Sequence, residues 1–329
     1  MKTATSTAIL CLVALSSPAL AADELRILAP TWLGFAPVFV AEDTGCFAEK
    51  DLAVDMKFED DLTNVMAAME RGDIDVQMRS VGEYQGRPRT AETPGIIIGT
   101  IDESVGGDGV ITDGAIKTAA DLKGKVVASE PNIPARLLLQ MELKKAGLTL
   151  KDLELRDIAT ADTGAVFTDE SISAIASYEP FMSQAIKASS RPDARVLVSS
   201  KDYPGIIVDA IIARADDVSA RPQVYGRFLS CIYKAVDFIQ AEPQKFAELT
   251  APHFGLTPEE VTEVVTGTLE YTTLAQSRAY IGTPEAPGTL YGLFDTVMQL
   301  NVENGAADAP LVAAQQIDAS VINLPEVAQ

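Results

Sequence analysis

The chain has 329 residues, with 26 Lys and Arg against 47 Asp and Glu, one His, three Cys and a formal net charge of −21. So acidic a surface repels nucleic acid and anionic lipid, which excludes both as partners. The single His253 excludes His-based metal sites and Ser-His-Asp catalysis, and in Ala251-Pro252-His253-Phe254-Gly255 it reads as a surface or capping residue at a helix end.

The chain opens on an export signal. Lys2 gives a short positive segment, 7–15 an apolar run, and Ala19-Leu20-Ala21 a small-x-small cleavage site before Ala22. The apolar run is shorter than the roughly 20 residues of a membrane-spanning helix, and no later run is long and charge-free enough. Cys11 follows Ala8-Ile9-Leu10 too early in that run for a lipid anchor. Losing the +1 of Lys2 takes the mature charge from −21 to −22. About 308 residues remain after cleavage, more than one core usually supports, so two lobes are expected. Cys46 and Cys231 also remain, enough for one bridge at most. Free buried thiols are expected, because a chain this long needs no staple.

Strand-like runs follow at 25–30, 54–58, 74–78 and 95–101, and between them Leu62, Val65, Met66 and Met69 fall on one helical face. This β-α-β-α-β series predicts a parallel sheet covered by helices. After the turn Gly106-Gly107-Asp108-Gly109, strands at 126–129, 154–158, 173–177 and 195–198 alternate with helices at 134–146, 164–168 and 181–188, a second α/β lobe. The run 205–213 is long enough to cross between lobes and holds Asp209 among apolar residues. From Pro222 the chain is helical: Val224, Phe228, Ile232, Ala235 and Ile239 share a face, and Thr257-Pro258-Glu259-Glu260 opens a further helix. The expected organisation is a signal at 1–21, the first part of lobe 1 at 22–108, lobe 2 at 109–208, and a return to lobe 1 with C-terminal helices at 209–329.

Several stretches carry a family resemblance in order along nearly the whole mature chain. They are Thr31-Trp32-Leu33-Gly34-Phe35-Ala36-Pro37, Ala41-Glu42-Asp43-Thr44-Gly45-Cys46-Phe47, Gly72-Asp73-Ile74-Asp75, Gly107-Asp108-Gly109, Asp121-Leu122-Lys123-Gly124-Lys125, Tyr178-Glu179-Pro180, the run 199–205, and Ala235-Val236-Asp237-Phe238-Ile239. Together they resemble the solute-binding proteins of nitrate/sulfonate/taurine-type ABC importers, including thiamine-pyrimidine-precursor-binding ones. The resemblance implies a two-lobed periplasmic binding protein fold of type II, an α/β fold with a mainly parallel sheet and flanking helices in each lobe. It also implies a small-molecule solute trapped in the interlobe cleft by hinge closure, delivery to a permease in the inner membrane, and a monomer that needs no cofactor.

Open α/β sheets bind ligands beyond the carboxyl ends of their strands, so strand ends supply the candidate cleft residues. Thr31 and Trp32 follow the first strand, Ser80 and Glu83 the third, Asp102 and Ser104 the fourth. Asn132, Ile133 and Arg136 open a helix whose N–H groups could hold an anion or carbonyl oxygen, Tyr178 and Glu179 end a strand, and Asp108 and Asp209 lie at lobe crossings. Trp32 is read as a stacking surface for a flat or cationic solute, against a place in the core. Asp209 has two readings, a partner across the hinge or a ligand ammonium, and Asp108 reads either as a turn cap or as a ligand contact. Arg87 and Arg89 are expected in a solvated loop.

Asp102, Glu103, Asp108, Glu179 and Asp209 outnumber Arg136, which argues for a solute bearing a positive charge or N–H donors, because an anion would meet desolvated carboxylates. The resemblance adds that the Ser/Thr/His-rich helix-start loop of sulfonate binders is replaced here by Pro131-Asn132-Ile133-Pro134-Ala135. The expected solute is aminopyrimidine-, urea- or taurine/amino-sulfonate-like. Two alternatives stand beside this: presentation of the ligand to a membrane-bound sensor, and an enzyme resembling those that make the thiamine pyrimidine. The single His and the export signal argue against the enzyme.

Overall fold

The computed structural model describes residues 22–328 except Ala91, and the export signal expected at 1–21 lies outside the described residues. β1 (Asp23–Ala29) pairs in parallel with β2 (Leu52–Phe58) and with β3 (Val76–Ser80). Between them lie α1 (Pro37–Asp43), α2 (Cys46–Glu49) and α3 (Leu62–Arg71). α3 buries the face expected from its periodicity; Asp61 caps its start by accepting the Thr63 N–H, and Gly72 at φ 76° ends it. α4 (Val81–Gln85) leads to β4 (Gly95–Ser104).

At 105–107 the chain crosses into β5 (Asp108–Thr112), which sequence periodicity missed. Then come β6 (Val126–Ser129), α5 (Pro134–Lys145), β7 (Glu154–Asp157), α6 (Thr163–Val166), β8 (Ile172–Tyr178), α7 (Phe181–Ala188) and β9 (Arg195–Ser199). It returns through β10 (Val208–Arg214) to α8 (Ala215–Ala220), α9 (Pro222–Ala241), α10 (Pro243–Phe254), α11 (Pro258–Thr268), β11 (Leu269–Tyr271), α12 (Leu274–Ile281) and α13 (Thr289–Glu303).

The parallel first sheet expected from the sequence is a mixed one. Its order is β11-β4-β10-β3-β1-β2, with β10 antiparallel between β3 and β4. The second sheet, β7-β6-β8-β5-β9, likewise holds β5 antiparallel between β8 and β9. The reason is geometric: a strand arriving from the other lobe enters at the edge where the parallel strands end, so it must run against them. That edge gathers the carboxyl ends of the parallel strands and the first residues of β5 and β10.

Two further expectations are corrected. Cys46 and Cys231 are not free thiols; a disulfide with a Cα–Cα distance of 5.7 Å joins α2 to α9 across 185 residues of sequence, two helices that only the fold brings together. Arg89 is not solvated: it is 7% exposed, lies 3.7 Å over the Tyr84 ring and bonds Gln316, while Arg87 stays exposed beside Asp308. His253, in the last turn of α10, stacks on Phe39 at 4.2 Å between ring centroids and sits 3.0 Å from an Asp43 oxygen. Among the described residues no helix is long and apolar enough to cross a membrane.

Candidate functional site

Where the two strand-end edges meet there is a cavity of about 20 Å³, lined by Pro30, Trp32, Phe35, Glu83 and Asp209 of the first sheet's lobe and by Asp108, Pro134 and Tyr178 of the second. That is room for a water molecule or two.

Trp32 follows β1 in a loop closed by a single 3-10 turn, Leu33–Phe35. It is 4% exposed, its indole N–H donates to both Asp102 oxygens at 3.2 and 3.4 Å, and its ring meets Tyr178 edge-on at 6.3 Å. Two glycines make this close approach possible: a Cβ on Gly107 would lie 2.3 Å from the Trp32 ring, and one on Gly34 2.0 Å from Asp102 Oδ2.

The electrostatics are one-sided. Asp102, Asp108, Asp209 and Glu83 are all buried. Glu83 is compensated: as N3 of α4 it accepts from the Ser80 hydroxyl at 2.8 Å and from Arg79 at 3.1 Å, and Arg79 also donates to the carbonyls of Glu59 and Asp60. Among the described residues the aspartates have no such cation. Burial pushes Asp102 up to about 7, against the opposing hydrogen bonds from Trp32 and Asp209. It pushes Asp108 up to about 8, and it raises Asp209 well above the usual carboxylate range, with Asp102, Glu83 and Asp108 adding repulsion. Among the described residues no group of three acidic, His or Cys side chains is arranged to hold a metal ion.

Of the residues singled out from the sequence, Trp32, Glu83, Asp108, Tyr178 and Asp209 line one cavity, with Asp102 held behind Trp32. Thr31, Ser80 and Ser104 support it: Thr31 donates its N–H and hydroxyl to Asp60, Ser80 caps α4, and the Ser104 and Ser200 hydroxyls share a hydrogen bond of 2.8 Å at the crossing. The other four lie outside its lining. Asn132 bridges the lobes, donating to the Arg87 carbonyl at 2.7 Å. Ile133 packs in the second lobe's core, and Arg136 pairs with Asp157 at 2.7 Å. Glu179 accepts the N–H and hydroxyl of Ser183 on α7 and lines a separate groove against α11.

Sequence reasoning missed Arg79 and Asp60. Asp60 accepts from Thr31 and from the Tyr178 hydroxyl at 3.4 Å, tying the first loop to the second lobe. Its signal was present, since β2 ends beside β1 with Phe58 opposite Ala29, and the residues after that second strand were passed over.

The arrangement defines a two-lobed protein with a cleft at the strand ends, the fold of periplasmic binding proteins. The chain belongs to the NMT1/THI5-like family, whose profile matches residues 32–246. Among solved structures it is similar to the alkanesulfonate-binding protein SsuA of Xanthomonas axonopodis pv. citri bound to MOPS, at 15% identity and a TM-score of 0.75, covering 91% of this chain and 99% of that one. The Escherichia coli periplasmic aliphatic sulphonate-binding protein SsuA gives 17% identity and a TM-score of 0.73 over 90% of this chain and 92% of that one. The periplasmic nitrate-binding protein NrtA of Synechocystis PCC 6803 gives 15% and 0.69 over 88% and 83%. In sequence, a Brucella abortus (strain 2308) chain named as a binding protein is 28% identical over 145 residues, which are 44% of this chain and 45% of that relative.

Proposed function

We propose that this protein is the extracytoplasmic solute-binding component of an ABC importer, and that it captures a small nitrogen-containing solute, cationic or rich in N–H donors, for delivery to a membrane permease. The observation that carries the solute class is the lining of the cleft: Asp108 and Asp209, with Asp102 behind, face Trp32, Phe35 and Tyr178, while the buried cation Arg79 is committed to Glu83. Carboxylates beside aromatic faces attract a desolvated cation and repel an anion. A protonated aminopyrimidine fits this chemistry, and a urea-like donor fits it in part. A taurine-like zwitterion would bring its sulfonate against the same acids. The alkanesulfonates and nitrate named for the structural neighbours belong to chains that share the fold at 15–17% identity.

The disulfide is consistent with an oxidising compartment, as is the export signal read from 1–21. A cavity of about 20 Å³ admits such a solute only when the lobes part, so hinge opening belongs to the reading.

A thermal-shift screen at about pH 8 tests it, with guanidinium, aminopyrimidines, urea, taurine, nitrate and methanesulfonate as probes. A ligand present at 1,000 times its dissociation constant stabilises by about 4 kcal/mol. Hits among cationic or N–H-rich probes are expected; hits confined to nitrate and methanesulfonate would overturn the solute class.

A further inference from the structure

Asp102 and Asp209 are Cα partners on adjacent antiparallel strands, both buried, and Asp108 enters from the other lobe. The charged and titratable groups around them are acidic or phenolic: Glu83 from α4, Glu103 beside Asp102 on β4, Tyr271 opposite Asp102 on β11, and Tyr178 opposite Asp108 on β8. Glu179 adds repulsion to Asp108. The buried guanidinium in this region, Arg79, is held by Glu83 and two backbone carbonyls. Two buried carboxyl groups on directly opposed residues of a ladder do not both ionise without a counter-cation.

We infer that the cleft is a proton-for-cation exchanger, in which the closed, unliganded pair Asp102–Asp209 shares a proton and the bound solute's positive charge replaces it. On binding, the proton leaves the carboxyl oxygen for solvent, and both carboxylates then face the solute cation. Charge inside the cleft is thereby conserved. The raised affinity for protons of Asp102 and Asp108 supports this. Affinity for the solute rises with pH, about tenfold per unit while one proton is exchanged, and levels off once the pair has ionised unaided.

The inference rests on the cation reading, and its test separates the two. Infrared spectra of the ligand-free protein at about pH 7 should show protonated-carboxyl C=O absorption that weakens in Asp209→Asn, Asp108 keeping its own contribution; Asp102→Asn serves as the second variant should the first misfold. Guanidinium chloride at millimolar concentration, titrated calorimetrically in two buffers of different ionisation enthalpy, should release about one proton per molecule bound. A carboxyl absorption that Asp209→Asn leaves unchanged, or guanidinium binding with no proton release, overturns the exchange and leaves the cation reading standing. A carboxyl band in a protein that binds neither guanidinium nor the aminopyrimidines overturns both.

Discussion

Asp102 and Asp209 are Cα partners in the β4–β10 ladder, one fully buried and the other 6% exposed. A β-ladder that places two aspartates opposite one another in the core is destabilised when both are charged.

Stability should therefore fall as pH rises. The folded state holds its proton up to about 7 at Asp102 and about 8 at Asp108, whereas the unfolded chain releases it in the ordinary carboxylate range. The folded form binds more protons in between, so the stabilisation is complete below that range and is lost as pH climbs to about 8. The melting temperature of the ligand-free protein should drop by several degrees between about pH 5 and pH 8, and Asp209→Asn should flatten that slope. A wild-type melting temperature that rises over the same interval would refute the protonated cluster. At lower pH a different set acts: Asp217, held below the usual carboxylate range by Arg221, loses its pairing on protonation, so acid unfolding is still expected.

Much of the architecture of both lobes was legible because α/β alternation is written in period and length. The strand at 126–129 and the helix at 181–188 agree with the structure residue for residue. Asp209 stood out as a lone acid in an apolar run. β5 was hidden because its first residues, Asp108 and Gly109, read as a turn, and the antiparallel place of β10 was hidden because strand direction depends on where the chain enters a sheet. Arg79 was invisible for another reason. A lone Arg near a strand end looks solvated, and its burial follows from Glu83 folding back over it from the first turn of α4.

Trp32 is the chain's only tryptophan, which makes it a clean reporter on the cleft. Its ring is edge-on to Tyr178 of the opposite lobe and 4% exposed, so the proposed lobe opening would move it into a more polar setting. Fluorescence should shift to the blue and gain intensity when a bound solute favours the closed form. Gly107→Ala should abolish that response, because the added methyl would lie 2.3 Å from the indole and displace it. An emission spectrum unchanged at saturation would count against Trp32 as part of the cleft.

The disulfide links Cys46 to Cys231 across 185 residues, a long loop whose closure restricts the unfolded chain. Replacing both cysteines with alanine should cost about 2 to 5 kcal/mol. Reducing agent should lower the wild-type melting temperature by a similar amount and leave the double variant unmoved. Because the bridge ties α2 to α9 in one lobe, solute affinity should survive both treatments at temperatures where the fold persists.

Arg79 and Glu83 form a fully enclosed pair, with side chains 2% and 7% exposed, four residues apart across the junction of β3 and α4. Arg79→Met keeps the bulk of the stem and removes the charge, leaving Glu83 in the cleft wall with the Ser80 hydroxyl and N–H as its remaining partners. Breaking a buried pair from one side costs about 3 to 5 kcal/mol, so the variant should melt well below wild type. The double variant Arg79→Met with Glu83→Gln removes the stranded charge and should recover most of that loss, because a neutral amide still satisfies Ser80. The same double change removes the pair's opposite charges together, so cation binding should alter little while stability recovers. A double variant as unstable as Arg79→Met alone would show instead that the guanidinium matters through the carbonyls of Glu59 and Asp60, which it holds at the mouth of the second strand.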